Sequence, residues 1–167
     1  MSIKKLLFIS NHAAFFVSHR LNIYHEAKKN NFKFHLIFGN AASKHMENEA
    51  IKKLKKYSIN FQKLNYSNNS FSILKDINSI IYISKFIKFY KPDIIHSASP
   101  KANIYAGILS KFFSNIGLVM SFSGMGYLYT GNKKNLLFFM KKKLFEITLS
   151  FIFSKKKKKK IVKNLND

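Results

Sequence analysis

Residues 91–108 read "KPDIIHSASPKANIYAGI", and this stretch decides the fold. Asp93 to Ser97 has the composition of a short buried strand. Ser99 stands where a helix N-cap belongs, and Pro100 follows at the first helical position, where its missing N–H costs nothing. Ala102, Ile104, Tyr105 and Ile108 then recur at helical spacing. The chain therefore runs strand, tight turn, helix. In a parallel α/β sheet such a turn lies at the carboxyl end of its strand, the edge at which ligands bind. His96 falls near the strand's end. Lys101 places a cation in the first helical turn, where the helix dipole favours anions. An anion beside Lys101 offsets that mismatch. A side chain turned to water does so equally well, because surface effects of this kind are small.

Outward from this stretch the same alternation repeats. Lys4 to Ser10 predicts a first strand buried on both faces, and Asn11 to Phe15 a turn. A helix is expected from about Phe16 to Asn30, with Val17, Leu21, Tyr24 and Ala27 inward. Phe32 to Phe38 predicts the second strand, which makes a right-handed βαβ unit with a parallel pair. A lysine-rich helix over Ala42 to Lys56, with Met46, Ala50, Ile51 and Leu54 as a thin apolar stripe, and a strand over Ile59 to Leu64 follow. Ser70 caps a long helix to about Tyr90, with Leu74, Ile77, Ile81, Ser84 and Ile87 expected on its inner face. Beyond the opening stretch come a strand at Gly117 to Phe122, a glycine-punctuated loop, an apolar helix at Asn135 to Phe153, and a last strand beginning at Ile161. The order predicts one α/β domain: a Rossmann-like, doubly wound, mostly parallel sheet with helices on both faces.

Composition narrows the class. The chain of 167 residues carries a formal charge of +23 and is 47% hydrophobic, which excludes a disordered chain. It has no cysteine, so neither disulfides nor thiolate metal sites are available. No apolar run reaches the length of a membrane span, and no secretory leader is evident. Arg20 is the only arginine among 30 basic residues. A surface so basic is drawn to nucleic acid or anionic lipid. Specific base readout relies on arginine forks, which disfavours nucleic acid as the partner.

Three stretches carry candidate chemistry. "FFVSHR" puts His19 and Arg20 in the first helical turns after the first strand, a pair able to bind phosphate or sugar hydroxyls. The alternative is two ordinary surface residues, yet a single arginine kept in a lysine-biased chain suggests a geometric need. "SFSGMGYLYTG" holds Gly124, Gly126 and Gly131, which allow close backbone approach to a ligand or simply make a turn. Lysines 133, 134, 141–143 and 155–160 bracket apolar "LLFFM" and "LFEITLSFIF". That pattern fits either an interfacial membrane contact or a core helix with solvated ends. The seven acidic residues form no close pair suited to acid–base work, and the six histidines show no metal spacing.

Together these stretches resemble the N-terminal domain of family 4 glycosyltransferases of GT-B architecture, in the subgroup that builds capsule, O-antigen or N-glycan precursors. The match runs through Ser10, Asn11, Phe15, Phe16, His19, Arg20, Leu21 and Ala27. It continues at Lys91 to His96, Pro100, Lys101, Ala102, Asn103, Tyr105 and Gly107. It resumes at Gly124, Gly126, Tyr127, Leu128 and Thr130. The resemblance implies a retaining transferase that uses a nucleotide-sugar donor as substrate, with no other cofactor and no metal. The acceptor is then a lipid-linked glycan in cell-surface polysaccharide synthesis, and the protein is cytoplasmic and peripheral on the inner face of the cell membrane. It also implies substrate-binding roles for Asn11, His19, Arg20, His96, Lys101, Asn103, Gly124, Gly126, Tyr127 and Thr130. Residues from three strand-to-helix connections are thus expected to line one cleft. The sequence departs from the family pattern at Ala98, where a second histidine is usual, and at "NHAAFF", which replaces a glycine pair.

On this reading residues 1–167 are the acceptor-side domain. The family's nucleotide-binding glutamates belong to a second domain with no counterpart among these residues. Either the product is truncated, or the chain is one part of a split enzyme. The alternative function is a non-catalytic membrane-anchoring or binding subunit of a two-chain transferase.

Overall fold

The computed structural model describes residues 3–41, 43–66, 72–122, 143, 146–147, 150–152, 154 and 160–164. Leu6 to Ile9 are apolar on both faces of strand β1 (Lys5–His12), and all four are buried. That pattern requires neighbours on both sides and layers on both faces. The sheet supplies them. Strands β2 (Lys33–Gly39), β3 (Phe61–Lys63), β4 (Ile94–Ala98), β5 (Gly117–Phe122) and β6 (Lys160–Asn164) complete a six-stranded sheet. Its order is β3-β2-β1-β4-β5-β6, and every pairing is parallel. The expected doubly wound α/β fold is present.

Parallel strands need crossovers, and right-handed crossovers running in opposite directions from β1 place their helices on opposite faces. Helices α1 (Ala13–His19), α2 (Leu21–Lys29) and α3 (Lys44–Lys56) serve the β1-β2-β3 side. Phe16, Tyr24, Ala27, Ala50 and Leu54 from these helices pack on Leu6, Phe8, Leu36 and Phe38. Helices α4 (Ile73–Tyr90) and α5 (Pro100–Phe112) cover the other face, where Ile83, Ile87, Tyr105 and Leu109 meet Leu7, Ile9, Ile37 and Ile95. Each large apolar side chain so buried contributes about 1.5–3 kcal/mol.

The structure corrects four local expectations. Strand β1 runs two residues past Ser10 and passes directly into α1, with no five-residue turn. The expected single helix over 16–30 is two helices joined at Arg20 (φ −134°, ψ 4°), a break that no Gly or Pro announces. Helix α3 buries Glu47 and leaves Met46 exposed, because Lys63 and the Ala41 N–H pair with the Glu47 carboxylate. Helix α4 turns inward Ser79, Ile83, Ile87 and Tyr90, whereas Leu74, Ile77 and Ile81 face solvent. Both faces of α4 are apolar, so spacing alone does not choose between them. Asp76 decides it, since its carboxylate reaches Lys101 and Tyr105 on α5.

Candidate functional site

The sheet order reverses between β1 and β4, and a ligand crevice is expected there at the carboxyl edge. The pairing of these strands ends at Ser10 opposite Ala98, so the next residues out are Asn11 and Ser99. Asn11 is the extra residue of an irregularity: Ser10 pairs with Phe38, and His12 with Gly39. Bulges of this kind re-aim side chains beside functional sites. The Asn11 Oδ1 is buried and has no hydrogen-bond partner.

Ser99 is the more unusual neighbour. It occupies the expected N-cap position of α5, but its backbone sits at φ 103°, ψ 152°. A non-glycine residue there is strained, and such strain collects at functional sites. Its side chain makes no capping hydrogen bond. The Oγ is buried and unpartnered. The expected cap is therefore a capping position without a capping bond.

His12 completes the edge, a position that no sequence motif singles out. Its Nδ1 accepts the Phe15 N–H at 3.1 Å and caps α1. In the neutral ring the proton then sits on Nε2, which is a donor. Burial lowers the His12 pKa, partly opposed by the negative charge of Glu47. Burial also disfavours the Glu47 anion. The hydrogen bonds from Lys63 and the Ala41 N–H, with the Lys63 and His12 charges, outweigh it and hold that pKa below its ordinary value. A cap position directly after a strand was the available signal for His12. Beneath the edge, Tyr66 donates from its hydroxyl to the Ser10 carbonyl. Tyr66 is 1% exposed, and burial drives its pKa up. The edge thus offers an acceptor at Asn11, a hydroxyl at Ser99 and a donor at His12. This mixed set suits a hydroxyl-bearing ligand better than a bare anion.

The other expected site residues fall in several places. His96 lies in β4, half-buried, with its ring 4.8 Å from that of Phe8 and Nε2 2.8 Å from the Ser121 Oγ. The anion beside Lys101 is internal: its Nζ lies 2.8 Å from the Asp76 Oδ1. Asn103 is fully buried, accepting from the Ser97 hydroxyl at 2.8 Å and donating to the Ser121 carbonyl at 3.0 Å. It fastens α5 to β4 and β5. His19 is exposed, its ring tilted against that of Phe15 at 5.2 Å between centres. Arg20 is 7% exposed; its Nη1 donates to the His19 carbonyl at 2.9 Å, and its guanidinium lies 5.5 Å from the Phe15 ring centre. Its Nε has no partner.

The single cleft expected for these residues is corrected. Arg20 belongs to the α1–α2 layer and Lys101 to the α4–α5 layer, on opposite faces of the sheet. The crossover directions from β1 require this separation. Gly124, Gly126, Tyr127 and Thr130 lie outside the described residues, as does most of the lysine-flanked helix.

Among the described residues no three His, Cys, Asp or Glu side chains converge on a metal position. No described helix is long and apolar enough to cross a membrane. An open cleft of about 1240 Å³ lies at the opposite, amino edge, between Lys4, Lys28, Asn31 and Lys33. It contains none of the unpartnered groups.

Comparison with known proteins gives a family and a fold. The family model described as Glycosyl transferase 4-like matches residues 5–158. MurG of Acinetobacter baumannii is similar in structure, with a TM-score of 0.54 and 10% identity over 71% of this chain and 34% of that one. A glycosyltransferase of Rickettsia africae aligns over 97% of this chain and 43% of its own, at a TM-score of 0.55 and 17% identity. A UDP-GlcNAc 2-epimerase of Methanocaldococcus jannaschii has a TM-score of 0.54 and 12% identity, over 87% and 37%. At such identities the likeness is one of fold. The chain spans less than half the length of each of these three. No curated protein sequence matches it.

Proposed function

The chain belongs to the glycosyl transferase 4-like family, and on that premise we propose that residues 1–167 form the acceptor-side half of a retaining glycosyltransferase. The donor is a nucleotide sugar, and the acceptor is a lipid-linked glycan at the inner face of the cell membrane, in cell-surface polysaccharide synthesis. The observation that carries this reading is the carboxyl edge, where Asn11 and Ser99, each one residue beyond the paired ends of β1 and β4, hold buried, unpartnered oxygens. Unpaired buried polar groups are costly, at about 1–3 kcal/mol each. A sugar hydroxyl donating to the Asn11 Oδ1 and bonding the Ser99 Oγ satisfies both.

The same edge supplies only one wall of a reaction site. Sugar transfer holds donor phosphate and acceptor hydroxyl in one near-attack arrangement, and much of the rate comes from that positioning. A nucleotide pocket needs groups beyond those named here. They come from a further domain or a second chain, with which these residues share the reaction. The chain by itself therefore binds acceptor weakly and nucleotide sugar negligibly.

The test is a radiolabelled sugar-transfer assay on the purified chain, with a panel of nucleotide sugars and lipid-linked or water-soluble acceptor glycans. Ligand-observed NMR runs beside it. Acceptor signals that respond to the protein, nucleotide-sugar signals that do not, and no turnover are expected. Multiple-turnover transfer by this chain alone refutes the half-enzyme reading. Nucleotide-sugar binding without acceptor binding refutes the acceptor-side assignment.

A further inference from the structure

Helix α4 exposes an apolar surface that a water-facing helix does not need. Ile73 is 69% exposed, Leu74 76%, and Ile77 and Ile81 47% each. At 100° per residue Leu74, Ile77 and Ile81 fall in one stripe, opposite the buried set of Ser79, Ile83, Ile87 and Tyr90. The stripe continues along the helix as exposed Lys85 and Lys88. Its outer face is therefore apolar in the first half and carries Lys85 and Lys88 in the second, beside Phe89, which is 82% exposed. Asp76 is the only acid of α4, and it is turned away from this face and paired with Lys101. The exposed face presents lysine, asparagine and apolar groups, and no carboxylate.

We propose that the outer face of α4 is the surface by which the protein lies on an anionic lipid bilayer. Ile73, Leu74, Ile77 and Ile81 enter the headgroup boundary, and Lys85 and Lys88 meet lipid phosphates. Charge complementarity selects this occupant: the chain carries +23, and the face adds cations to an apolar stripe without a single anion. That composition, on a helix lying flat, is what interfacial helices present to acidic lipid.

The placement deepens the proposed function, and it rests on that reading. The apolar end of α4 is the end whose Asp76 binds Lys101 in the first turn of α5. It therefore stands at the carboxyl edge of the sheet, beside the crevice between β1 and β4. A bilayer beneath α4 brings that crevice to headgroup level, where the glycan of a lipid-linked acceptor begins. The surface also differs from the lysine-bracketed helix near residues 136–153, toward which the sequence pattern pointed.

The experiment is vesicle co-sedimentation of the full chain, with vesicles of phosphatidylcholine alone and with phosphatidylglycerol at about 30%. Two variants accompany it: Leu74→Ser/Ile77→Ser/Ile81→Ser, and Ile147→Ser/Phe151→Ser as a control on the C-terminal helix. All five substituted positions are exposed, and circular dichroism and thermal melts verify that both variants fold. The α4 variant is expected to lose at least tenfold in partitioning to anionic vesicles, and the control to lose less than twofold. Wild-type binding is expected to weaken with salt and to be far lower on neutral vesicles. Equal binding to both lipids overturns the proposal, as does an α4 variant that binds like wild type. Light scattering showing a wild-type dimer that the α4 variant breaks also overturns it, and assigns the face to a second copy. These readouts do not depend on sugar transfer. A failed transfer assay with water-soluble acceptor leaves them standing, and their failure leaves that assay standing.

Discussion

Asp76 of α4 and Lys101 of α5 form a salt bridge at 2.8 Å, with side chains only 19% and 12% exposed. Tyr105 adds a hydrogen bond to the same carboxylate at 2.5 Å. Burial, with the Asp76 acceptor and charge, drives the Tyr105 pKa up. Breaking a largely buried pair from one side strands the other charge. Asp76→Asn is expected to lower stability by about 1–3 kcal/mol, with Lys101→Met costing less, because Asp76 keeps the Tyr105 hydroxyl. Urea titrations of the two variants and their combination read the coupling. Additive effects within about 0.5 kcal/mol remove the pair as a determinant of how α4 seats.

Gly107 lies in the middle of α5, against Ile152 of the C-terminal helical segment. A Cβ at Gly107 falls 2.7 Å from the Ile152 Cγ1 and 3.0 Å from its Cγ2. Alanine improves helix propensity by about 1 kcal/mol, but forced packing in a filled core costs about 1–3 kcal/mol. Gly107→Ala is therefore expected to be net destabilising, by up to about 2 kcal/mol. In an Ile152→Ala background the same change becomes neutral or favourable. A Gly107→Ala protein as stable as wild type would falsify the seating of Ile152 on α5.

His35 of β2 is half-buried against Phe86 and Tyr90, with ring centres 4.5 and 5.6 Å away, and its Nε2 is buried without a partner. Burial lowers its pKa to about 4. The unfolded chain takes up this proton near pH 6.5, before the folded protein does, so stability is full above that value and falls as pH drops towards 4. The half-exposed ring discounts the loss to about 1–2 kcal/mol. His12 adds a loss of the same sign. Urea midpoints at pH 7.5 and 4.5 are expected to differ less in His35→Phe than in wild type. An unchanged difference assigns the acid sensitivity elsewhere.

Much of this fold is legible in the sequence, and the reasons differ by element. Buried strands announce themselves by continuous β-branched and aromatic runs, and β5 lies where its residues predict, at Gly117–Phe122. The break at Arg20 is not legible, because a buried guanidinium resting on Phe15 makes the joint and no breaker residue marks it. The inward face of α4 follows from a contact between Asp76 and a helix 25 residues further on, which periodicity cannot contain. At the site, the strand-to-helix turns are legible and the roles of individual side chains are not. Asn103 reads as a ligand contact in a motif, yet its amide is consumed by Ser97 and Ser121. Ser99 reads as a cap, but its backbone conformation withdraws the hydroxyl from that role.

Ser99 provides the sharpest test of the carboxyl edge. A non-glycine residue at φ 103°, ψ 152° carries about 1–3 kcal/mol of strain, and its buried Oγ lacks a partner. Glycine removes both penalties and adds about 0.5–1 kcal/mol of chain entropy to the unfolded state. Ser99→Gly is therefore expected to stabilise the protein by roughly 0.5–1.5 kcal/mol. Ser99→Ala keeps the strain and loses only the hydroxyl, so it gains less. A serine held at such a cost is explained if the hydroxyl binds ligand, since function tolerates local strain that stability alone would not. Both variants should then weaken acceptor binding in ligand-observed NMR, although one of them is more stable than wild type. Stability rising in Ser99→Gly while acceptor binding stays at wild-type strength in both variants separates the strain from the site, and removes Ser99 from it.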